Sequence, residues 1–591
     1  MLILSRHAIF GTITHPIYEM RATKRLVAIS LFLLSVPLAF GQGINAETPL
    51  RPVTRTFAIT NARVVQAPGR VLDQATVVIR DGVIESVGAN VEPPVDAQIL
   101  EGDSLTIYAG FIDAFSHVSV KDVEEDETDI TDPGDPSNDR AGIMPQRDVR
   151  TMLKPDDGNI GSLRNLGFTV AHVAPDGNML PGRGVAILLR EPQRMEDDLG
   201  VVLTGPLSLY AQFEESDGVY PGTDMGILAK LRDLFIEAGR RQDAVQTYFD
   251  DPEGRTRPAY NPVLAGLTET LDGDLPIYFR VESTNDAFRA LNVTEELNIP
   301  MVLVGLPWST PVTGRLSARN VAAVAPLALP DTVATDTTAS AIEVSPPAAG
   351  ASVVMYHRRA GSHDDLNQER AALRAQQAAA VGRYEANAAT LQAEGIRFAF
   401  STYDVETGDI RKNLRRMIAA GLSENDALAA LTTTPADLLH LPMLGTVEGG
   451  KMANLVVTDG NYFEEDTKVR FVFVEGVKYE AEEDKPPEGA DPDADVDATG
   501  TWSFTVITPG GEQEGTFTIT GSGSSLAGTI QTDDSVELQN VTLEGNVLSF
   551  SFSQPGVGAI SVSGVIDENS FSGTATVASM GSFTMTATRP G

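Results

Sequence analysis

From about residue 55 to 100, apolar and polar positions alternate in short runs, the period of half-buried strands. Phe57-Ala58-Ile59 leads to Asn61-Ala62-Arg63-Val64-Val65, and Val77-Val78-Ile79 turns through Asp81-Gly82 into Val83-Ile84-Glu85-Ser86-Val87. Asp-Gly between β-branched runs predicts a hairpin, because both residues tolerate the positive φ of a type I′ turn. From Gly110 to about His440 the pattern changes. Short apolar runs, Gly167–Val173, Pro276–Val281, Pro300–Val304 and Ile396–Phe400, alternate with helical stretches at Asp286–Leu297, Leu366–Glu394 and Ile410–Ala420. That alternation predicts an α/β fold whose length suits a (β/α)8 TIM-like barrel, with chemistry at the carboxyl ends of its strands. His117, Glu282 and Tyr403 fall near those ends.

The pattern changes twice more. Residues 480–499 are rich in Glu, Asp, Pro and Gly and read as an acidic linker. Beyond Gly500, Thr516-Phe517-Thr518-Ile519 and Ser549-Phe550-Ser551-Phe552 alternate strictly, predicting a C-terminal antiparallel β domain over 500–591. Its Gly500-Thr501-Trp502 opening is similar to that of small lipocalin-like domains. At the other end, a basic stretch, Met20–Arg25, precedes an apolar run, Leu26–Phe40, too short to span a bilayer. With Ala39-Phe40-Gly41 as a small-x-small cleavage pattern, residues 1–41 read as an extension plus signal peptide. The expectation is a periplasmic or secreted bacterial protein with no stable membrane anchor.

Composition narrows the functions. The 591 residues carry a formal net charge of -37, which argues against nucleic-acid partners and anionic lipid. There is no cysteine, so disulfides, zinc–thiolate sites and thiol nucleophiles are excluded. The carboxylate-rich stretch Asp122–Asp139 lacks a calcium-loop spacing and reads as a solvated loop.

Ala109-Gly110-Phe111-Ile112-Asp113-Ala114-Phe115-Ser116-His117 resembles the first metal-binding strand of the amidohydrolase superfamily, Gly-x-Ile-Asp-x-His-x-His. Gly445–Val457 resembles that family's C-terminal signature, more than 300 residues on and in the expected order. The resemblance implies a barrel over 110–440. It also implies a small β-sandwich assembled from 50–109 and 441–479. By family, the activity would be hydrolysis of C–N bonds in a small-molecule amide or peptide, with one or two divalent metals such as zinc lowering the pKa of a bound water.

The ligand set is short. Phe115 stands where the first imidazole belongs, and Arg280, Val304 and Tyr403 replace further ligand types. A slip of one residue would be needed to bring Asp404 to the position of the catalytic aspartate. His117 and His172 remain as metal candidates, Asp404 and Tyr403 as catalytic candidates, and Arg280 and Glu282 as substrate-binding candidates. Gly167-Phe168-Thr169, Gly182-Arg183-Gly184, Arg289-Ala290-Leu291 and Asn413-Leu414-Arg415 look similar to metal-poor units of tandem secreted bacterial amidohydrolases. Three functions stay open: a C–N hydrolase with a weak single metal, a non-catalytic partner of a ligand-complete paralogue, or a metal-free solute-binding barrel.

Overall fold

The computed structural model describes residues 56–589 except 122, 124–131, 155–156, 192–200, 331–362, 482–486, 488, 493, 495, 509–510, 523–524, 532–534, 555–557 and 578–580. The export segment read at 1–41 lies outside the described residues. Among the described residues no helix is long and apolar enough to cross a membrane.

The described residues begin with β1 (Thr56–Ala67), β2 (Arg70–Arg80), β3 (Val83–Gly88), β4 (Gln98–Glu101) and β5 (Thr106–Ala109). The β2–β3 hairpin turns at Asp81 and Gly82, whose φ values of 48° and 83° are those the Asp-Gly pair predicts. The barrel follows: β6 (Phe111–Ser116), β7 (Phe168–Val173), β8 (Gly182–Leu188), β9 (Val202–Gln212), β10 (Ile277–Arg280), β11 (Met301–Val304), β12 (Ala322–Pro326) and β13 (Phe398–Ser401). The chain then returns as β14 (Leu455–Thr458), β15 (Val469–Val474) and β16 (Val477–Glu480). These complete the first sheet, in the order β16-β15-β14-β5-β1-β2-β3 with β4 on β1. Ala109 pairs with Leu455, so the strand that feeds the barrel is locked to the one that leaves it.

The barrel is a run of neighbours from β6 to β13. One strand departs from the (β/α)8 pattern: β8 is antiparallel to both β7 and β9. Only eight residues separate the end of β7 from the start of β8, too few for a helical crossover, so the chain turns straight back. Strand alternation divides the side chains. Phe168, Leu209, Phe279, Leu303 and Phe400 pack outward among Ile227, Leu231, Leu291, Leu414 and Leu428. Val170, Tyr210, Tyr278, Val302, Val304, Val324 and Ala399 fill the interior with Phe115.

Backbone pairing stops between β13 and β6, and side chains close the seam. Ser401 Oγ donates to the Phe115 carbonyl at 2.5 Å, and Thr402 N–H donates to Asp113 Oδ1 at 3.0 Å. Thr402 Oγ donates to Asp113 Oδ2, and Phe115 N–H to Oδ1. Asp113 is fully buried. The long Ala/Gln-rich helix expected at 366–394 breaks into His363–Glu385 and Asn387–Ala393. At the break the Asn387 amide is used up: it accepts from Ser309 N–H and donates to the Leu306 carbonyl.

The C-terminal region is a nine-stranded antiparallel sheet. Its two edge strands, Ser535–Glu537 and Gln539–Glu544, are consecutive in the chain, so the sheet curls back on itself. Trp502 sits at its centre, fully buried, stacked on Phe517 and donating from Nε1 to the Ala498 carbonyl at 3.0 Å. Trp502→Ala removes this anchor and is expected to cost about 3–5 kcal/mol. Urea unfolding of the C-terminal region, followed by amide hydrogen exchange, checks it.

Candidate functional site

The carboxyl ends of β6, β7, β9, β10 and β13 bring one cluster of polar and aromatic side chains together. His117 follows β6, and its Nδ1 lies 2.7 Å from the Ala174 carbonyl. A carbonyl only accepts, so Nδ1 carries the proton and Nε2 keeps its lone pair. Nε2 has no hydrogen-bond partner among the described residues, and Asp176 Oδ1 lies 3.8 Å away. Burial lowers the pKa of His117, which therefore stays neutral near pH 7.

His172, on β7, is buried deeper. Its Nδ1 lies 3.0 Å from the Ala114 carbonyl and its Nε2 2.9 Å from Ser208 Oγ. By the same reasoning Nδ1 donates, and the Nε2 lone pair is taken by the serine hydroxyl. Burial pulls its pKa down to about 4. Gly184 on β8 makes the pairing possible, since a Cβ there would stand 2.6 Å from His172 Nε2 and 2.7 Å from Ser208 Oγ. Three of the four imidazole nitrogens are thus committed within the protein.

Phe115 separates the two histidines. Its ring centroid lies 5.3 Å from that of His117, 6.2 Å from His172, 4.8 Å from Tyr210 and 6.0 Å from Tyr403. Arg280, at the end of β10, lies over the Tyr403 ring, 4.6 Å from its centroid. It donates to Gln212 Oε1 at 2.9 Å and to Glu282 Oε1 at 2.7 Å, with Glu214 at 3.7 Å. Tyr210 donates to the same Gln212 oxygen at 2.7 Å. Burial raises the Tyr210 and Tyr278 phenols above their ordinary range, so both stay protonated.

Of the residues singled out in the sequence, His117, Arg280, Glu282 and Tyr403 meet in this cluster. His172 lies beneath it, against the edge of Tyr278 at 4.7 Å between centroids. Asp404 is exposed, in the left-handed region at φ 57°. Tyr403, not Asp404, packs on Phe115 and His117. Val304 is buried in the barrel interior. Sequence reasoning passed over Ser208, Tyr210 and Gln212, whose period-2 spacing along β9 was the available signal, and over Asp176 and Glu214 in loops. Among the described residues, no group of three or more His, Asp or Glu converges as a metal cage would.

This cluster can accept one hydrogen bond at His117 Nε2, donate from Arg280, and enclose a small group between aromatic rings. Two cavities lie elsewhere. One of about 160 Å³ is lined by Pro307, Pro326, Tyr384 and Met417, and one of about 250 Å³ by Arg63, Tyr108, Glu424 and Asn461.

Residues 348–479 match the sequence profile of the amidohydrolase family. No curated protein sequence matches the chain. Among solved structures, an amidohydrolase from Thermotoga maritima MSB8 superposes with a TM-score of 0.55 at 20% identity, over 71% of this chain and 99% of that one. A molinate hydrolase (TM-score 0.41, 14% identity, 75% and 98% covered) and a Xaa-Pro dipeptidase with bound methionine (TM-score 0.38, 14% identity, 72% and 100% covered) are more distant. Residues 348–479 thus carry the amidohydrolase family's profile, and the chain shares its fold with the Thermotoga maritima amidohydrolase.

Proposed function

We propose that this is an exported amidohydrolase-superfamily protein, derived from C–N bond hydrolases, whose barrel no longer runs the metal-dependent reaction. It serves instead as a non-catalytic partner of a ligand-complete paralogue. The observation that carries this reading is the closed state of His172: its lone pair accepts from Ser208 and its proton goes to Ala114. With Phe115 inert and Arg280 cationic, a divalent ion would meet a single free imidazole nitrogen, too few donors for the three or four protein ligands that zinc takes. The residues present do not fit the metal.

Hydrolysis with one weakly held metal is the competing reading, favoured by the free Nε2 of His117. Elemental analysis of the purified mature chain separates the two, together with turnover assays on dipeptides and N-acyl amino acids. Sub-stoichiometric zinc, manganese and iron with no chelator-sensitive turnover is expected. One tightly bound metal per chain with chelator-sensitive hydrolysis would overturn the proposal. Co-elution of the mature chain with a ligand-complete amidohydrolase from the same cells tests the partner role.

A further inference from the structure

His117 Nε2 and Asp176 Oδ1 face each other at 3.8 Å, and Nε2 has no hydrogen-bond partner among the described residues. Both are acceptors, because the Nδ1 proton of His117 is fixed on Ala174. Asp176 Oδ1 accepts one hydrogen bond, from Gly177 N–H at 2.8 Å, whereas the buried His117 Nε2 accepts none among the described residues, and a buried acceptor left unpaired costs free energy. The charge around them is lopsided. Glu214 and Glu282 flank one guanidinium, Arg280, which is already held by Glu282 and Gln212, and Asp176 stands close enough to Glu214 to help raise its pKa. The walls are aromatic, with the rings of Phe115, Tyr403 and Tyr210 centred 5.3, 5.2 and 5.6 Å from that of His117. His117 lies on the floor, its side chain 17% exposed, whereas Asp176 stands at the rim, 63% exposed.

We propose that the barrel mouth binds a small primary organic ammonium ion, its N–H directed at His117 Nε2 and its charge at the Asp176 carboxylate. The ammonium supplies the donor that His117 Nε2 lacks, and its charge offsets the carboxylate excess. The tyrosine and phenylalanine rings cover its alkyl part and add cation–π attraction. A carboxylate ligand would instead have to displace Glu282 from Arg280. This inference rests on the metal-free reading of His117, since a metal there would take the same lone pair.

Calorimetric titration of the full chain with n-butylammonium chloride, sodium butyrate and zinc chloride tests it. Saturable one-to-one binding of butylammonium is expected, with no binding of butyrate. Asp176→Asn, a rim substitution, is expected to weaken that binding about tenfold, the loss of a charge-assisted contact. His117→Leu abolishes it, and His117→Gln, which keeps an acceptor, retains part of it. Preferential binding of butyrate, or ammonium binding unchanged in Asp176→Asn and His117→Leu, would overturn the proposal. So would the absence of any butylammonium binding; if zinc is also not bound, the metal-free reading survives. Stoichiometric zinc that is lost in His117→Leu would overturn both.

Discussion

Asp113→Asn is expected to stabilise the barrel at neutral pH and to uncover a steep loss of stability on acidification. Burial pushes the Asp113 carboxyl up to about 7, against an ordinary value of 3.8. Between those limits the folded barrel holds a proton that the unfolded chain has released. Its contribution is therefore most favourable below pH 4 and is lost as pH rises through 7, by about 4 kcal/mol in all. His172 works the other way. Its pKa falls from 6.5 to about 4, so its stabilisation is full above pH 6.5 and drains away as pH falls to 4, by about 3 kcal/mol. The two slopes oppose each other over one window, and His117 adds to the histidine side.

Asparagine keeps the seam. Its carbonyl can accept from the N–H groups of Phe115 and Thr402, and its amide can donate to the Thr402 hydroxyl. What disappears is the titration. Relative to the native chain, Asp113→Asn should gain stability steadily from pH 4 to 7, leaving the imidazoles unopposed. Urea unfolding at pH 4, 5.5 and 7.5, followed through Trp308 in a Trp502→Phe background, measures the difference. Parallel curves for the two proteins would contradict the argument.

The barrel was legible because apolar alternation and helix spacing are local properties. Phe115, Arg280 and Val304 were legible as non-ligands because a phenyl, a guanidinium and an isopropyl group have no lone pair to give. The antiparallel β8 was not, since Gly182–Leu188 reads equally well in either direction and only the short return from β7 decides it. Nor was the seam role of Asp113, which depends on Thr402, 289 residues away in the chain. Three of the motifs likened to metal-poor tandem units hold structural fittings. Gly184 clears space for the His172–Ser208 pair, Asn413 Nδ2 donates to the Leu327 carbonyl, and Arg289 bridges Asp224 and Asp286. Asp404 was misleading for a backbone reason: its positive φ lets the chain turn out of the barrel just after Tyr403.

Phe115 offers the second large effect. It is fully buried and touches both histidines and both mouth tyrosines, so Phe115→Ala leaves a ring-sized void at the top of the core. The expected loss is about 3–5 kcal/mol, read from urea unfolding at pH 7.5. Phe115→His would restore the missing imidazole of the family pattern, yet it should still destabilise, because a buried ring nitrogen would face phenols and phenyls without a partner. Nor should it load zinc, for the Nε2 of His172 remains bonded to Ser208. Adding Ser208→Ala to Phe115→His releases that lone pair, and the introduced imidazole then joins His117 and His172 as a set of three neutral rings. Zinc binding by calorimetry that appears in the double variant and not in Phe115→His would locate the lost metal chemistry in the serine as much as in the phenylalanine. Zinc binding by Phe115→His alone would show that the phenyl ring was the whole obstacle.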